Sequence, residues 1–396
     1  MSRIRLTDRV LAARAEREQT ASLRPRRVIQ ERDGVNVVID GHPLINFCSN
    51  DYLGLAQHLD VVSAFQAASA LHGVGSSASA LVCGHSAEHA AFELEAAAWM
   101  GYPRALLMGS GYLANLAAMQ SLLGPGDVCV QDKLNHACLL DGARLAMCDL
   151  KRYPHRDSEA AMRQLMSERK GAAMLATDGV FSMDGDIAPL RELAVVARSQ
   201  DALLFVDDAH GIGVIGPDGR GSTAVANLSP AEVPLLSLPL GKAFGGQGAL
   251  LLGSKSLIEH IAETARPYLF STAPAPAMAA AMRASLQLIR GEPWRRAKLA
   301  SLVMRFRRMA LGAGVPLLES YTPIQPVPLG NNARALAASA ALQERGFLVG
   351  AIRPPTVPDG QARLRVTLSA LHSERDVDAL VAALTVICKD ASRAHA

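Results

Sequence analysis

One lysine of this sequence stands apart from the rest. Lys242 lies in SLPLGKAFGGQG (237–248), among glycines and apolar residues. An amine in such a setting loses hydration, which favours its neutral, nucleophilic form. Upstream, LLFVDDAHG (203–211) places Asp207, Asp208 and His210 where an apolar run ends. A buried carboxylate there could pair with a protonated ring nitrogen, or it could cap a turn. KLNHACLLDGA (133–143) sets His136 just beyond the run DVCVQD, and GVFSMDGD (179–186) sets Ser182 among acids in an expected turn. MGSGYLAN (108–115) carries glycines at a strand-to-helix turn, where the free amides of a helix start hold a phosphate well.

Each feature has an ordinary reading when taken singly: a connecting turn, a structural histidine, a solvated lysine. Their chain order is more specific. A phosphate turn, a ring-sized histidine, an Asp-x-x-His and a lysine are the groups that pyridoxal 5'-phosphate (PLP) chemistry needs. They supply a phosphate anchor, a stacking partner, an anion for the pyridinium and an amine for the aldehyde. Two patterns point elsewhere. GIGVIG (211–216) satisfies Gly-x-Gly-x-x-Gly, but PDGRGS follows where a dinucleotide fold needs a helix. HSAEH (85–89) matches a zinc-peptidase pattern, but it opens an Ala-rich helix without a third ligand. No metal is expected.

A sheet must hold these groups. Apolar runs at 104–109, 127–132, 172–179, 202–210, 235–238 and 248–253 alternate with helical stretches such as HAAFELEAAAWM. Strand and helix repeated this way predict an α/β fold with a mainly parallel sheet, whose ligands gather beyond the carboxyl ends of the strands. Residues 1–45 read as an amphipathic helix and a basic connector, 46–285 as a large cofactor-binding domain, and 286–396 as a smaller α+β domain. In that last part IQPVPL, FLVGAI and ARLRVTL read as strands and SERDVDALVAAL as a final helix.

The 396 residues carry a net charge of +3, with 49% hydrophobic and 19% charged residues. That charge is too small to argue for nucleic acid. Arg24, Arg26 and Arg27 form a basic arm, which leaves room for an acidic docking partner. Six cysteines without a Cys-x-x-Cys pair suit a reducing cytoplasm. No signal-peptide core and no apolar run of transmembrane length is apparent.

Over nearly its whole length the chain resembles the α-oxoamine synthase family of PLP-dependent enzymes. The motifs are SNDYLGL, GSGYLAN, NHACLLDGA, FSMDGD, VDDAHGIGVIG, LGKAFG, STAPAPA, AIRPPTVP and ARLRVTLSALH, in the expected order. The resemblance implies the aspartate-aminotransferase-like fold (fold type I), a homodimer and PLP held by Lys242 as a Schiff base. It implies that Asp207 faces the pyridine nitrogen, that His136 stacks on the ring, and that Ser182 and His210 approach the ring hydroxyl. The backbone of Gly111 and Tyr112 would lie near the phosphate. Arg365 would hold the amino-acid carboxylate, and Arg24, Arg353 and Thr356 would contact the acyl substrate or product. The Arg-Pro-Pro of AIRPPTVP, usually lacking in glycine-using relatives, favours a member that condenses L-alanine with a pimeloyl thioester carried by acyl carrier protein or coenzyme A. A glycine C-acetyltransferase is the nearest alternative, and a non-catalytic PLP-fold partner subunit is the alternative of another class. Two departures stand out. Pro239 replaces the family's phosphate-binding Thr three residues before the lysine, which leaves Ser237, or Thr272 of a partner chain, to substitute. GVGSSASALVCG (73–84) is also poorer in glycine than usual.

Overall fold

The continuous apolar runs become strands of a seven-stranded sheet, ordered 104–108, 249–253, 235–239, 203–207, 173–178, 128–132, 149–153. The computed structural model describes residues 3–393 apart from Pro25 and Arg169, with side chains as far as Lys389. The chain forms two compact units. One comprises the chain up to Ser49, Met183–Gly185 and the chain from Leu299 on; the other comprises Asn50–Ser182 and Asp186–Lys298.

The large sheet belongs to the second unit. Leu235, Leu236, Leu250, Leu251 and Leu252 are all fully buried. Strands covered on both faces have no polar side, which is why they read as unbroken apolar runs. Each such leucine contributes about 1.5–3 kcal/mol over leaving it in water. Ala249–Gly253 runs antiparallel to both its neighbours, and every other pairing is parallel. The six other strands therefore share one direction, and their carboxyl ends lie along one rim. The segments leaving that rim carry Gly111, His136, His155, Ser182, His210 and Lys242. Six strands coincide with the expected runs. The seventh, Asp149–Tyr153, was not foreseen, because DLKRY is an edge strand whose first four residues are exposed or half-buried.

The first unit departs from expectation at its start. Leu6–Gln19 is helical but buries no residue. The supposed connector then folds as a three-stranded antiparallel meander, Ile29–Asp33, Asn36–Ile39 and His42–Asn46. Ile29–Asp33 is exposed along its whole length, so no hydrophobic alternation announces it. The two Asp-Gly pairs do. Asp40 (φ +51°) and Gly41 (φ +76°) make a two-residue turn with both residues left-handed, which matches the twist of paired strands. FLVGAI also divides. Phe347–Leu348 adds to this sheet in parallel with His42–Asn46, while Gly350–Ile352 joins a second sheet with Ala362–Thr367 and Ile324–Gly330. The final helix, Glu374–Arg393, is capped reciprocally by Ser373 and Asp376.

Met183–Gly185 is gripped within this unit. Arg363 Nη1 donates to Asp184 Oδ1 at 2.6 Å, and the Ser320 and Thr322 hydroxyls each lie 2.9 Å from the Gly185 carbonyl oxygen. Among the described residues, no helix is long and apolar enough to cross a membrane.

Candidate active site

At the rim, Asp207 closes strand Leu203–Asp207 and is 5% exposed. Its Oδ2 accepts from Asn115 Nδ2 at 2.5 Å, and its Oδ1 accepts from the Ala209 amide at 3.0 Å. Asn115, fully buried, also donates to Cys138 Sγ at 3.0 Å. Cys138 Sγ lies 2.8 Å from His136 Nδ1, and the Cys138 amide donates to the same nitrogen at 3.3 Å. A polar chain thus runs Asp207–Asn115–Cys138–His136. With two donors at Nδ1, that nitrogen is the acceptor, and a neutral His136 carries its proton on Nε2. Burial lowers the His136 pKa and the Lys242 charge lowers it further, while Asp207 opposes them. His136 is held at the start of Ala137–Ala146, with its amide donating to Asp178 Oδ2 at 3.1 Å. The residue nonetheless stays exposed.

Gly111 opens helix Gly111–Leu122, whose N-cap Ser110 accepts from the Leu113 amide. A Cβ at Gly111 would sit 2.7 Å from Pro239 Cγ and 2.9 Å from its Cβ, so only glycine fits the approach of this turn to strand Leu235–Pro239. The adjoining Tyr112 hydroxyl donates to Asp141, which raises its pKa to about 12. Two residues before Pro239, and so on the same strand face, Ser237 is fully buried and its hydroxyl lacks a hydrogen-bond partner.

Lys242 is half-buried in the loop after Leu235–Pro239. Its charge reaches both His136 and Asp178. Asp178, paired with Asp207 across adjacent strands, has its pKa pushed well up by burial and then by the Asp207 charge. Tyr52 holds His210, its hydroxyl 2.5 Å from Nδ1. Ser182 lies in the turn after Ala173–Asp178. Thr272 is exposed in this chain and forms an isolated bridge with Ser79. Within the second unit, then, Gly111, Tyr112, His136, Ser182, Asp207, His210 and Lys242 follow the strand ends of one sheet.

The expected substrate arginines belong to the first unit. Arg365, 8% exposed, donates from Nη1 to Thr367 Oγ1 at 3.0 Å. Arg24 holds the Arg353 backbone, and Arg353 holds the carbonyls of Ala21 and Leu23 just before Arg24. Arg24 Nη2 donates to Thr356 Oγ1 at 3.0 Å and to the Arg353 carbonyl at 3.3 Å, while Arg353 Nη1 donates to the Ala21 carbonyl at 2.5 Å. Burial and the neighbouring Arg24 charge lower the Arg353 pKa.

Sequence reasoning passed over Asn115, Cys138, Tyr52 and Asp178. Asn115 sits inside the GSGYLAN motif, four positions past Gly111 and so one helical turn on. The two rival patterns have structural causes. In GIGVIG, Gly211 lets the backbone pass close to the buried Asp208, whose Oδ1 would lie 2.2 Å from a Cβ there. Burial lifts the Asp208 pKa to about 7. In HSAEH, His89 completes a capping box with Ser86, and its Nε2 lies 2.7 Å from the Pro274 carbonyl oxygen.

Comparison with known proteins identifies the family and the fold. The family model of aminotransferase class I and II matches residues 42–384. A protein of Stenotrophomonas maltophilia called 8-amino-7-oxononanoate synthase is 60% identical over 385 residues, covering 97% of this chain and 94% of the relative. Among solved structures, serine palmitoyltransferase from S. paucimobilis with a bound PLP–myriocin aldimine superposes with a TM-score of 0.93 at 25% identity, covering 98% of this chain and all of that one. The 8-amino-7-oxononanoate synthase of Francisella tularensis gives 0.77 at 30% identity, covering 89% of this chain and 99% of its own. The fold is shared across activities, and sequence identity is what separates them. The chain belongs to the class I and II aminotransferase family with its type I PLP-enzyme fold, and within it to the α-oxoamine synthases, alongside the 8-amino-7-oxononanoate synthases.

Proposed function

We propose that the chain is a PLP-dependent acyltransferase in which the α-carbon of L-alanine bonds to the carbonyl carbon of a pimeloyl thioester, the carrier leaves as its free thiol, and carbon dioxide is lost, to give 8-amino-7-oxononanoate for biotin synthesis. The observation that carries the reading is the Asp207–Asn115–Cys138–His136 chain, formed at the rim where the Lys242 charge is felt. The residues present suit the cofactor. A cradle that admits only glycine adjoins a helix start, the buried Ser237 hydroxyl is unpartnered, and Asp207 is held by two donors as an acceptor. Ser237 offers the hydroxyl that Pro239 lacks.

When bound, PLP supplies a conjugated pyridinium ring that accepts the electron pair left at the alanine α-carbon. This chain's residues do the rest. The Lys242 amine would hold the cofactor aldehyde and would take the α-proton of alanine. After the carboxylate is lost, it returns a proton to the same carbon. The Asp207 carboxylate keeps the ring nitrogen protonated, and neutral His136 stacks on the ring without opposing that charge. The amides of Gly111 and Tyr112 bind the phosphate, and Ser182 and His210 approach the ring hydroxyl, with His210 oriented by Tyr52. Arg365 binds the alanine carboxylate. Arg24, Arg353 and Thr356 face the acyl group, whose carrier is acyl carrier protein or coenzyme A. The working form is a cytoplasmic homodimer. Val74, Val82 and Phe270, at 94%, 77% and 73% exposure, are too apolar to be left in water near the Ser79–Thr272 bridge.

The test is direct. Lys242→Ala should abolish the visible absorption of the lysine-bound cofactor and all turnover. Mass spectrometry of wild-type reactions, pairing alanine or glycine with pimeloyl or acetyl thioesters, should find 8-amino-7-oxononanoate as the preferred product. A preference for glycine with acetyl-CoA would move the chain to glycine C-acetyltransferase activity.

A further inference from the structure

His155 follows the edge strand Asp149–Tyr153 and has no part in the chemistry described above. It is nonetheless held from both sides. Its Nδ1 donates to Asp132 Oδ1 and Oδ2 at 3.0 and 3.2 Å, and its Nε2 donates to Asp186 Oδ2 at 2.8 Å. Asp132, 1% exposed, ends the strand Val128–Asp132, and its carboxylate also accepts from the amides of Leu134 and Arg156 at 2.8 Å. Four residues later comes His136. Asp186 closes the turn that contains Ser182; its carbonyl accepts from the Phe181 amide at 2.9 Å, and its carboxylate also receives Arg156 Nη1 at 3.3 Å. The His155 and Phe181 rings pack edge to face, with centroids 4.4 Å apart. One imidazole therefore ties the segment presenting His136 to the turn presenting Ser182.

We propose that His155 is a positioning residue for the cofactor pocket, clasping Asp132 and Asp186 so that His136 and Ser182 are presented together. The inference rests on the PLP reading above. Only a doubly protonated imidazole can donate to both carboxylates at once. Burial works against that form, but the hydrogen bonds to Asp132 and Asp186 override it and raise the pKa to about 9. The groups facing the ring are these two acids and, from its own segment, Arg156. A histidine whose folded pKa lies above its free value adds stability that is complete below about pH 6.5 and is lost as pH rises through about 9. Above that pH one ring nitrogen becomes an acceptor facing a carboxylate, and one side of the clasp opens.

The experiment compares wild type, His155→Asn and Asp186→Asn. PLP affinity is titrated by cofactor absorbance from pH 7 to pH 10, alongside circular-dichroism melting of the cofactor-free chains. His155→Asn should bind PLP about tenfold more weakly at pH 7.5 and lack the wild-type loss of affinity centred near pH 9. Asp186→Asn keeps the shape of the turn but removes one charge, so it should retain that loss with its midpoint moved to lower pH. If His155→Asn fails to fold, the Asp186→Asn midpoint decides. Wild-type affinity and pH profile in His155→Asn, or an unmoved midpoint in Asp186→Asn, overturns the proposal. Failure of wild type to bind PLP would instead overturn the cofactor reading.

Discussion

At the scale of single residues, the site depends on how closely groups approach as much as on which groups they are. Gly111 shows this most sharply. A methyl group there would meet Pro239 at 2.7 Å, and neither partner can yield easily: one starts a helix, the other ends a central strand. Gly111→Ala should cost about 1–3 kcal/mol of stability through overpacking, and about tenfold in PLP affinity if the turn retreats by the equivalent of ~1.4 kcal/mol. Urea unfolding and cofactor titration on the same preparation would separate the two. Unchanged values in both would remove the turn from the phosphate site. The positions of Lys242, His136, His210 and Ser182 beyond strand ends, and of Asp207 at one, could be read from sequence because each chemical type stands at or after the end of an apolar run. Asn115, Cys138 and Tyr52 could not. Their types carry no chemistry alone, and they matter only because folding brings them against Asp207, His136 and His210.

At the scale of elements, the apolar strands announced themselves because both faces are buried. The exposed ones did not. Ile29–Asp33 and Asp149–Tyr153 carry charges and lie at sheet edges, where charged side chains also discourage pairing with other chains. The expected connector before residue 45 thus failed because its first strand is exposed throughout, and only the Asp-Gly turns mark the meander. One element-scale contact invites a test. Arg363, 3% exposed, comes from the central strand of the small sheet and grips Asp184. Removing one partner of a buried pair leaves the other unpaired, which costs about 3 kcal/mol. Arg363→Ala should lower the urea midpoint by that equivalent, whereas a change below about 0.5 kcal/mol would mean that Ser320 and Thr322 suffice to hold the segment.

At the scale of the whole molecule, the alternation of apolar runs and helical stretches placed the chain in the α/β class, and the proposed dimer, expected from the family resemblance, can be tested at what a single chain leaves uncovered. Val82 is 77% exposed within GVGSSASALVCG. If that segment is buried between subunits, Val82→Asp must place an unpaired charge in the interface. Light scattering should give twice the chain mass for wild type and a shift toward the single-chain mass for the variant. A monomeric wild type would refute the dimer.

The reversed strand Ala249–Gly253 has a further consequence. The segments carrying His136 and Ser182 run on into helices, which can absorb an added residue at the surface. Leu240–Gly248 instead links two strands already paired with each other, and it is closed by Leu240 N donating to Gly248 O at 2.9 Å and Gly246 N donating to Leu240 O at 3.1 Å. An insertion there has nowhere to slide, so a laboratory seeking to lengthen or graft segments of this enzyme should find the lysine's own loop the least permissive span along the rim.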